Sequence, residues 1–161
     1  MNIMFVCTGN ICRSAMAHHL LEKRLKDLKI ENVKVYSCGV TAYNGEKSTW
    51  EAIYIMEKYY NVDLKKHRAT NIKNSNIENM DLILCATKYH KEDVLELYPS
   101  LKGKVFTMKE YVNYDEENHN KIDIKDPWGY DKETYIECSK EISKCIELLI
   151  EKISPQENEF M

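Results

Sequence analysis

Cys7 and Arg13 have the residue types and the spacing to attack and bind a phosphate group. The five residues between them include Gly9, and the backbone N–H groups of such a tight loop converge on one anion when a helix begins beside it. A planar guanidinium holds two oxygens of a tetrahedral oxyanion, and the same positive field stabilises a thiolate. The segment therefore predicts phosphoryl transfer to the Cys7 sulfur, with no metal ion required.

Glycine spacing excludes the two commonest phosphate loops. No pair among the five glycines has the G-x-G or G-x-x-x-x-G spacing of a dinucleotide-binding or Walker loop. A cysteine six positions before an arginine arises by chance in about one comparable sequence in ten. The predicted strand before this segment and the predicted helix after it are what favour the functional interpretation.

The segment Asp126-Pro127-Trp128 supplies a candidate acid. A thiolate that takes a phosphoryl group from an ester needs a proton donor for the leaving oxygen. Pro127 fixes the backbone after the carboxylate, and Trp128 places an aromatic ring in a loop; both are costly without a function. We expect Asp126 to be the general acid; the alternative is a turn that only starts the last helix.

Short apolar runs alternate with helical patterns along the chain. Four runs predict buried strands, namely Asn2–Cys7, Val33–Ser37, Leu82–Cys85 and Val105–Met108. Helices are predicted from Ser14, from a capping box at 48–51 to Tyr60, from after the third strand to Leu97, and from near Asp131 to Ile153. This alternation predicts an open α/β fold, a parallel sheet covered by helices on both faces. Ligands bind beyond the carboxyl ends of such strands, which is where the first strand delivers Cys7.

Length and charge limit the possible partners. The 161 residues predict one domain over 1–153, with 154–161 as a frayed tail. A net charge of −3 provides no clustered positive charge for nucleic acid or an anionic membrane. No apolar run approaches the 18 residues of a spanning helix, and the N-terminus lacks the basic region of a secretory signal. We expect a cytoplasmic monomer that binds neither nucleic acid nor membrane.

The cysteines and histidines show no familiar metal spacing. The six cysteines contain no C-x-x-C pair, and the five histidines neither complete a zinc spacing with them nor form H-E-x-x-H. Scattered cysteines in a reducing compartment are buried thiols or catalytic groups. We therefore expect no metal and no cofactor.

Four motifs now identify a family. The segments VCTGNICRS, YSCG, LILC and DPWG occur in this order, and the chain to about Ile153 resembles the low-molecular-weight protein tyrosine phosphatases. The resemblance implies a four-stranded parallel sheet flanked by helices, with the phosphate loop after the first strand. It also implies hydrolysis of phosphotyrosine in proteins through a phosphocysteine intermediate, with inorganic phosphate or vanadate as inhibitors.

The resemblance assigns the catalytic roles. Cys7 is similar to the nucleophile, Arg13 to the arginine that binds phosphate, and Asp126 to the general acid that later serves as a base. The cradle would be completed by the loop amides of Thr8, Gly9, Asn10, Ile11, Cys12 and Arg13.

The resemblance also implies supporting roles. Asn10 is similar to the asparagine that shapes the loop, and Ser14 to the hydroxyl that donates to the thiolate. Ser37 and His67 fall where the family keeps a serine and a histidine that support the asparagine, although His67 could equally be solvent-exposed. Cys12 matches a second loop cysteine that forms a reversible disulfide with Cys7; the alternative is a packed thiol.

Three side chains align with the wall that contacts substrate. Tyr43 and Trp128 match aromatics that sandwich a phenyl ring, and Ile11 matches an apolar loop residue. Each could instead be an ordinary exposed or core residue. One departure concerns Thr87, because many members of the family place an aspartate there to support the arginine.

Three alternative functions remain. Protein-arginine phosphatases share VCTGN and resemble KVFTMKEYV, but they carry a threonine where this chain has Ile11, and isoleucine cannot bond to a guanidinium. Arsenate reductases need a second relay cysteine seven residues after Cys85, where this chain has Glu92. A non-enzymatic anion-binding module would not require Asp126.

Overall fold

A sheet of four parallel strands forms the centre of the molecule. The computed structural model describes residues 1–115, 117 and 121–154. The strands are β1 (Asn2–Cys7), β2 (Lys34–Gly39), β3 (Leu82–Cys85) and β4 (Val105–Thr107), in the spatial order β2-β1-β3-β4. The predicted four-stranded parallel sheet is confirmed. The central position of β1 places Cys7 opposite Gly39 of β2 at the carboxyl edge.

Helices cover both faces of the sheet. They are α1 (Arg13–Asp27), α2 (Trp50–Tyr60), α3 (Lys88–Leu97), α4 (Met108–Tyr111) and α5 (Lys132–Ile153), with short 3-10 turns at 72–74, 77–79 and 99–101. Because side chains alternate along β1, Ile3 and Phe5 pack with α1, α2 and α5, whereas Met4 and Val6 pack with α3 and the 3-10 turns. β1 and β3 are almost entirely apolar because both of their faces are buried, whereas β2 begins at the exposed Lys34 and contains Ser37.

The predicted element bounds hold to within one or two residues, with two corrections. Helix α2 is capped by Thr49, whose hydroxyl accepts from the Ala52 amide at 3.3 Å, and not by Ser48 as the S-x-x-E pattern predicts. Strand β4 ends at Thr107 and not at Met108, because Thr107 forms a capping box with Glu110 that starts α4. From residue 155 onward, the predicted tail lies outside the described residues.

Candidate active site

The loop between β1 and α1 is held against the end of β2. The Val40 amide donates to the Cys7 carbonyl at 2.9 Å, and the Thr41 amide donates to the Thr8 carbonyl at 3.0 Å. A Cβ atom at Gly39 would lie 2.5 Å from the Thr8 carbonyl oxygen and 2.8 Å from the Asn10 nitrogen. Because both neighbours are backbone atoms that cannot turn away, only glycine fits at position 39.

The Cys7 sulfur lies at the floor of this loop and receives two hydrogen bonds. The Asn10 amide donates to Sγ at 3.3 Å, and the Ser14 hydroxyl lies 2.9 Å from the same sulfur. The Ser14 oxygen accepts from the Asn10 side-chain amide at 2.8 Å, which leaves the Ser14 proton to donate to a thiolate. This geometry stabilises negative charge on Cys7, as a nucleophile or a leaving sulfur requires.

Asn10 holds the loop in a conformation that few residues adopt. Its φ of 57° lies in the left-handed region, which asparagine tolerates better than most residues. Its side-chain oxygen accepts from the Thr70 amide at 3.0 Å, and its carbonyl accepts from His67 Nε2 at 2.8 Å. The surrounding chain therefore fixes Asn10 from two sides, and His67 is buried, not solvent-exposed.

Among the described residues, Ser37 bonds to a histidine of α1 and makes no direct hydrogen bond to Asn10. Its hydroxyl is 2.7 Å from His18 Nδ1, and the His18 ring stacks on His19 with centroids 4.2 Å apart. His19 Nε2 in turn lies 2.8 Å from His67 Nδ1. Ser37 is thus linked to Asn10 through three histidines, two of which the sequence did not single out.

Arg13 is positioned by groups from the segment before α5. Its side chain is buried, Nη1 donates to the Ile124 carbonyl at 2.9 Å, and Nη2 lies 3.6 Å from Asp126 Oδ2. The chain has Thr87 where the family resemblance implies an aspartate, and these two contacts fix the guanidinium instead. The other oxygen of Asp126 accepts from the Trp128 amide at 3.1 Å, and half of the Asp126 side chain is exposed.

His90 fixes the start of the loop, and sequence reasoning missed it. Its Nδ1 accepts from the Thr87 amide at 3.2 Å, so Nε2 carries the proton and donates to the Thr8 hydroxyl at 2.8 Å. Burial, and then the charge of Arg13, lowers the pKa of His90 to about 4, which keeps this tautomer neutral. No local motif signals the contact, because it joins residues 82 positions apart.

A cleft of about 270 Å³ opens above the loop and brings together most of the predicted site residues, whereas Asn10, Ser14, Ser37 and His67 do not line it. Its lining comprises Cys7, Thr8, Gly9, Ile11, Cys12, Arg13, Thr41, Tyr43, Glu46, Asp126 and Trp128. The two aromatic rings are largely exposed, Tyr43 at 79% and Trp128 at 63%, and so are available to a ligand. Thr41 and Glu46 were not predicted, and Glu46 adds a carboxylate to the rim.

Cys12 lies against the wall of the cleft as a protonated thiol. Its sulfur is 3.6 Å from the Thr49 hydroxyl and 3.5 Å from the Tyr135 hydroxyl. Burial outweighs both hydrogen bonds and raises the pKa of Cys12 to about 11. Cys12 therefore does not compete with Cys7 as a nucleophile at neutral pH.

Comparison with known proteins agrees with this geometry. Residues 2–159 match the family described as low molecular weight phosphotyrosine protein phosphatase. The chain is 34% identical to a protein-arginine-phosphatase of Geobacillus stearothermophilus, over 96% of this chain and 97% of the relative.

Solved structures show the same fold. A low molecular weight protein tyrosine phosphatase from T. tengcongensis superposes with a TM-score of 0.86 at 35% identity, over 95% of this chain and 99% of its own. The YwlE arginine phosphatase, in a variant with a phosphorylated active-site serine in place of cysteine, superposes with a TM-score of 0.87 at 30% identity, over 98% of both chains. In the described part of this chain, no helix has both the length and the apolar character to cross a membrane.

Proposed function

Because the chain belongs to the low molecular weight phosphotyrosine protein phosphatase family, we propose that it hydrolyses phosphotyrosine in proteins through a phosphocysteine on Cys7. The observation that carries this proposal is the convergence of three groups in one cleft. The Cys7 sulfur accepts two hydrogen bonds, Arg13 presents a fixed guanidinium, and Asp126 places a half-exposed carboxyl beside it.

The first step transfers the phosphoryl group to sulfur. The Cys7 thiolate attacks phosphorus, the bond from phosphorus to the tyrosine oxygen breaks, and Asp126 gives its proton to that oxygen. Arg13 and the amides of the loop hold the equatorial oxygens, where charge develops in the transition state.

The second step releases phosphate and restores the enzyme. Asp126, now ionised, takes a proton from water as the water oxygen attacks phosphorus. The phosphorus–sulfur bond breaks, and the Ser14 hydroxyl stabilises the departing thiolate from 2.9 Å. Inorganic phosphate leaves, and phosphate or vanadate added to the enzyme competes for the same cradle.

The lining of the cleft supports an aryl phosphate as substrate. Tyr43 and Trp128 offer exposed aromatic faces, and Ile11 adds an apolar side chain next to the nucleophile. Stacking of aromatic rings contributes about 0.5–1.5 kcal/mol beyond buried area.

Phosphoarginine is the second candidate substrate. The similarity to a protein-arginine-phosphatase supports it, as does Glu46, whose carboxylate lines the same cleft and could accept from a guanidinium. Against it stands Ile11, which has no polar atom to offer that group. The aromatic wall makes phosphotyrosine the substrate that we favour.

Matched peptides carrying phosphotyrosine or phosphoarginine separate the two candidates. We expect kcat/KM to favour phosphotyrosine by at least about tenfold, with Cys7→Ser as the blank. Ile11→Thr should move this ratio toward phosphoarginine by about tenfold, since one hydrogen bond is worth about 1.5 kcal/mol. Glu46→Gln is the matched control, and it should affect only the phosphoarginine peptide.

A phosphoarginine preference in the wild-type enzyme would contradict the assigned substrate. It would leave the chemistry of Cys7, Arg13 and Asp126 in place. An Ile11→Thr variant with an unchanged ratio would show that Ile11 does not set specificity.

We further propose that Cys12 protects Cys7 from irreversible oxidation. Peroxide converts the Cys7 thiolate to a sulfenic acid; the Cys12 thiol then forms a disulfide with it and releases water. Both cysteines line one cleft, which supports this pairing. Wild-type activity lost to peroxide should return with dithiothreitol, whereas Cys12→Ser should recover less than about a tenth of it.

The control for this experiment is Cys145→Ser, which removes a buried thiol of α5 that does not line the cleft. It should recover like the wild type. Full recovery of Cys12→Ser would make Cys12 a packing residue only.

The environment in which the chain works follows from its thiols. All six cysteines are free and buried, a state that a reducing compartment maintains. We therefore propose that the chain acts in the cytoplasm. We also propose that it is a monomer with one domain over residues 1–153, which is supported by a cleft lined entirely by this chain.

A further inference from the structure

Three histidines meet in a second cavity, apart from the cleft. The cavity measures about 480 Å³, and its lining shares no residue with that of the cleft. His18 and His19 come from α1, and His67 from the loop before β3. One ring nitrogen from each of the three lies within 4.8 Å of the other two.

Two ring nitrogens on the outer side of this histidine cluster already face an oxygen that can accept a hydrogen bond. His67 Nε2 donates to the Asn10 carbonyl at 2.8 Å, which leaves a lone pair on Nδ1. His19 Nδ1 lies 3.2 Å from a carboxylate oxygen of Glu22. Histidines that bind metals donate their second N–H to a carbonyl or carboxylate in this way, and that bond fixes the tautomer and the ring.

His18 has the same kind of support. Its Nδ1 lies 2.7 Å from the Ser37 hydroxyl, and its Nε2 lies 3.2 Å from the same Glu22 oxygen that faces His19. Whichever nitrogen of His18 turns toward the cluster centre, the other keeps a polar partner. The Glu22 carboxylate thus contacts both the His18 ring and the His19 ring.

We propose that His18, His19 and His67 form a binding site for a divalent transition-metal cation that prefers imidazole, with Zn²⁺ as the reference. Zinc–nitrogen bonds of about 2.0–2.1 Å place tetrahedral ligands about 3.3 Å apart. This separation lies between the 2.8 Å of the His19–His67 contact and the 4.8 Å limit of the cluster. The stacking of His18 on His19 cannot persist in that geometry, because the ion must lie in the plane of each ring that binds it. The His18 ring therefore turns out of the stack toward the cluster centre, and the cavity offers room for a water as the fourth ligand.

Binding of the cation replaces the hydrogen bond between His19 and His67. Without the cation, His19 Nε2 donates to His67 Nδ1, because His67 already uses its only proton toward Asn10. When the cation binds to His19 Nε2, the His19 proton moves to Nδ1, where the Glu22 carboxylate accepts it.

Two cations on the cavity wall limit the affinity. Lys66 and Arg68 both line the cavity and repel a divalent ion. The Arg68 guanidinium is engaged elsewhere, since its Nη1 donates to the Lys65 carbonyl at 3.0 Å and to the His67 carbonyl at 2.8 Å. The Glu22 carboxylate lies 3.2 Å from ring nitrogens of His18 and His19 and offsets part of this repulsion.

Titration of the reduced protein with Co²⁺, followed by displacement with Zn²⁺, tests the site. We expect one ion per chain in both the wild type and Cys7→Ser, with visible bands of nitrogen ligation and no thiolate charge transfer. His18→Ala and His19→Ala should each weaken binding at least about 100-fold, and Glu22→Gln about 10- to 100-fold.

Glu147→Gln is the matched control. Glu147 of α5 pairs with Arg24 of α1 at 2.7 Å, in a pocket that contains none of the three histidines, so its replacement should leave metal affinity unchanged. Circular dichroism checks the fold of each variant, and Glu22 is half-exposed, so Glu22→Gln keeps the core intact.

Three results would overturn the proposal. Binding that shows thiolate charge transfer and disappears in Cys7→Ser would place the ion at the catalytic cysteine. Affinity that survives in His18→Ala, His19→Ala and Glu22→Gln would place it elsewhere. The absence of stoichiometric binding to the wild type would exclude the site.

Discussion

Replacement of Cys7 by serine is expected to lower kcat/KM for an aryl phosphate by at least about 10⁴-fold and to leave phosphate binding intact. A serine hydroxyl is not ionised at neutral pH, whereas the contacts from Asn10 and Ser14 stabilise a thiolate. Arg13 and the loop amides remain, so the anion cradle persists. Steady-state kinetics, together with calorimetric titration of phosphate or vanadate, measures both properties.

Cys145→Ser is the control for a general effect of losing a buried thiol, and it should retain wild-type turnover. A solved relative with serine at its active site carries a phosphorylated serine. A stable phosphoserine at position 7 of Cys7→Ser would therefore agree with the loss of turnover. Hydrolysis within tenfold of the wild type would remove Cys7 from the role of nucleophile.

Replacement of Asp126 by alanine is expected to slow substrates according to their leaving groups. Phosphotyrosine leaves as a basic phenolate that needs a proton, so its kcat/KM should fall about 10²- to 10⁴-fold. The nitrophenolate of p-nitrophenyl phosphate leaves without one, so its loss in the transfer step should be far smaller. Comparing the loss of kcat/KM for the two substrates therefore separates the loss of proton donation from other effects of the substitution.

Asp126→Asn and Asp123→Asn are the matched controls. The first keeps the shape of the side chain but cannot donate an acidic proton, so it should behave like Asp126→Ala. The second removes an exposed carboxylate that accepts from the Lys88 amide at 2.8 Å and should leave both substrates unaffected. Equal losses on both substrates would mean that Asp126 only positions Arg13 through their 3.6 Å contact.

The sequence predicts the sheet well because its two central strands, β1 and β3, are nearly continuous apolar runs. Both have the predicted bounds, since both are buried on both faces of the sheet. The four-residue helix α4 was missed because it has no room for a helical apolar repeat. Only the pairing of Thr107 with Glu110 marks it, and that pattern is hard to distinguish from a strand end.

The catalytic core was predictable because most of it is contiguous. Four of the site residues lie within one eight-residue segment, so their spacing in the sequence predicts their relative positions. These are Cys7, Asn10, Arg13 and Ser14. The groups that hold this loop come from distant segments: Gly39 from β2, Thr70 from a loop, and Ile124 from the segment before α5. Single-sequence reasoning has no access to such contacts.

The histidine cluster is the clearest example of this limit. His19 and His67 are 48 residues apart, so no sequence spacing joins them. The expectation of no metal-binding set came from searching for short motifs. Packing of α1 beside the loop before β3 creates the cluster instead.

Acid quenching during turnover of a phosphotyrosine peptide, followed by mass spectrometry of the peptide that contains Cys7, tests the phosphocysteine intermediate most directly. We predict one added phosphoryl group on Cys7 in the wild type. More should accumulate in Asp126→Ala supplied with p-nitrophenyl phosphate, because this variant lacks the base that activates water. A phosphoryl group found on another residue, or none on Cys7 while turnover proceeds, would contradict the mechanism.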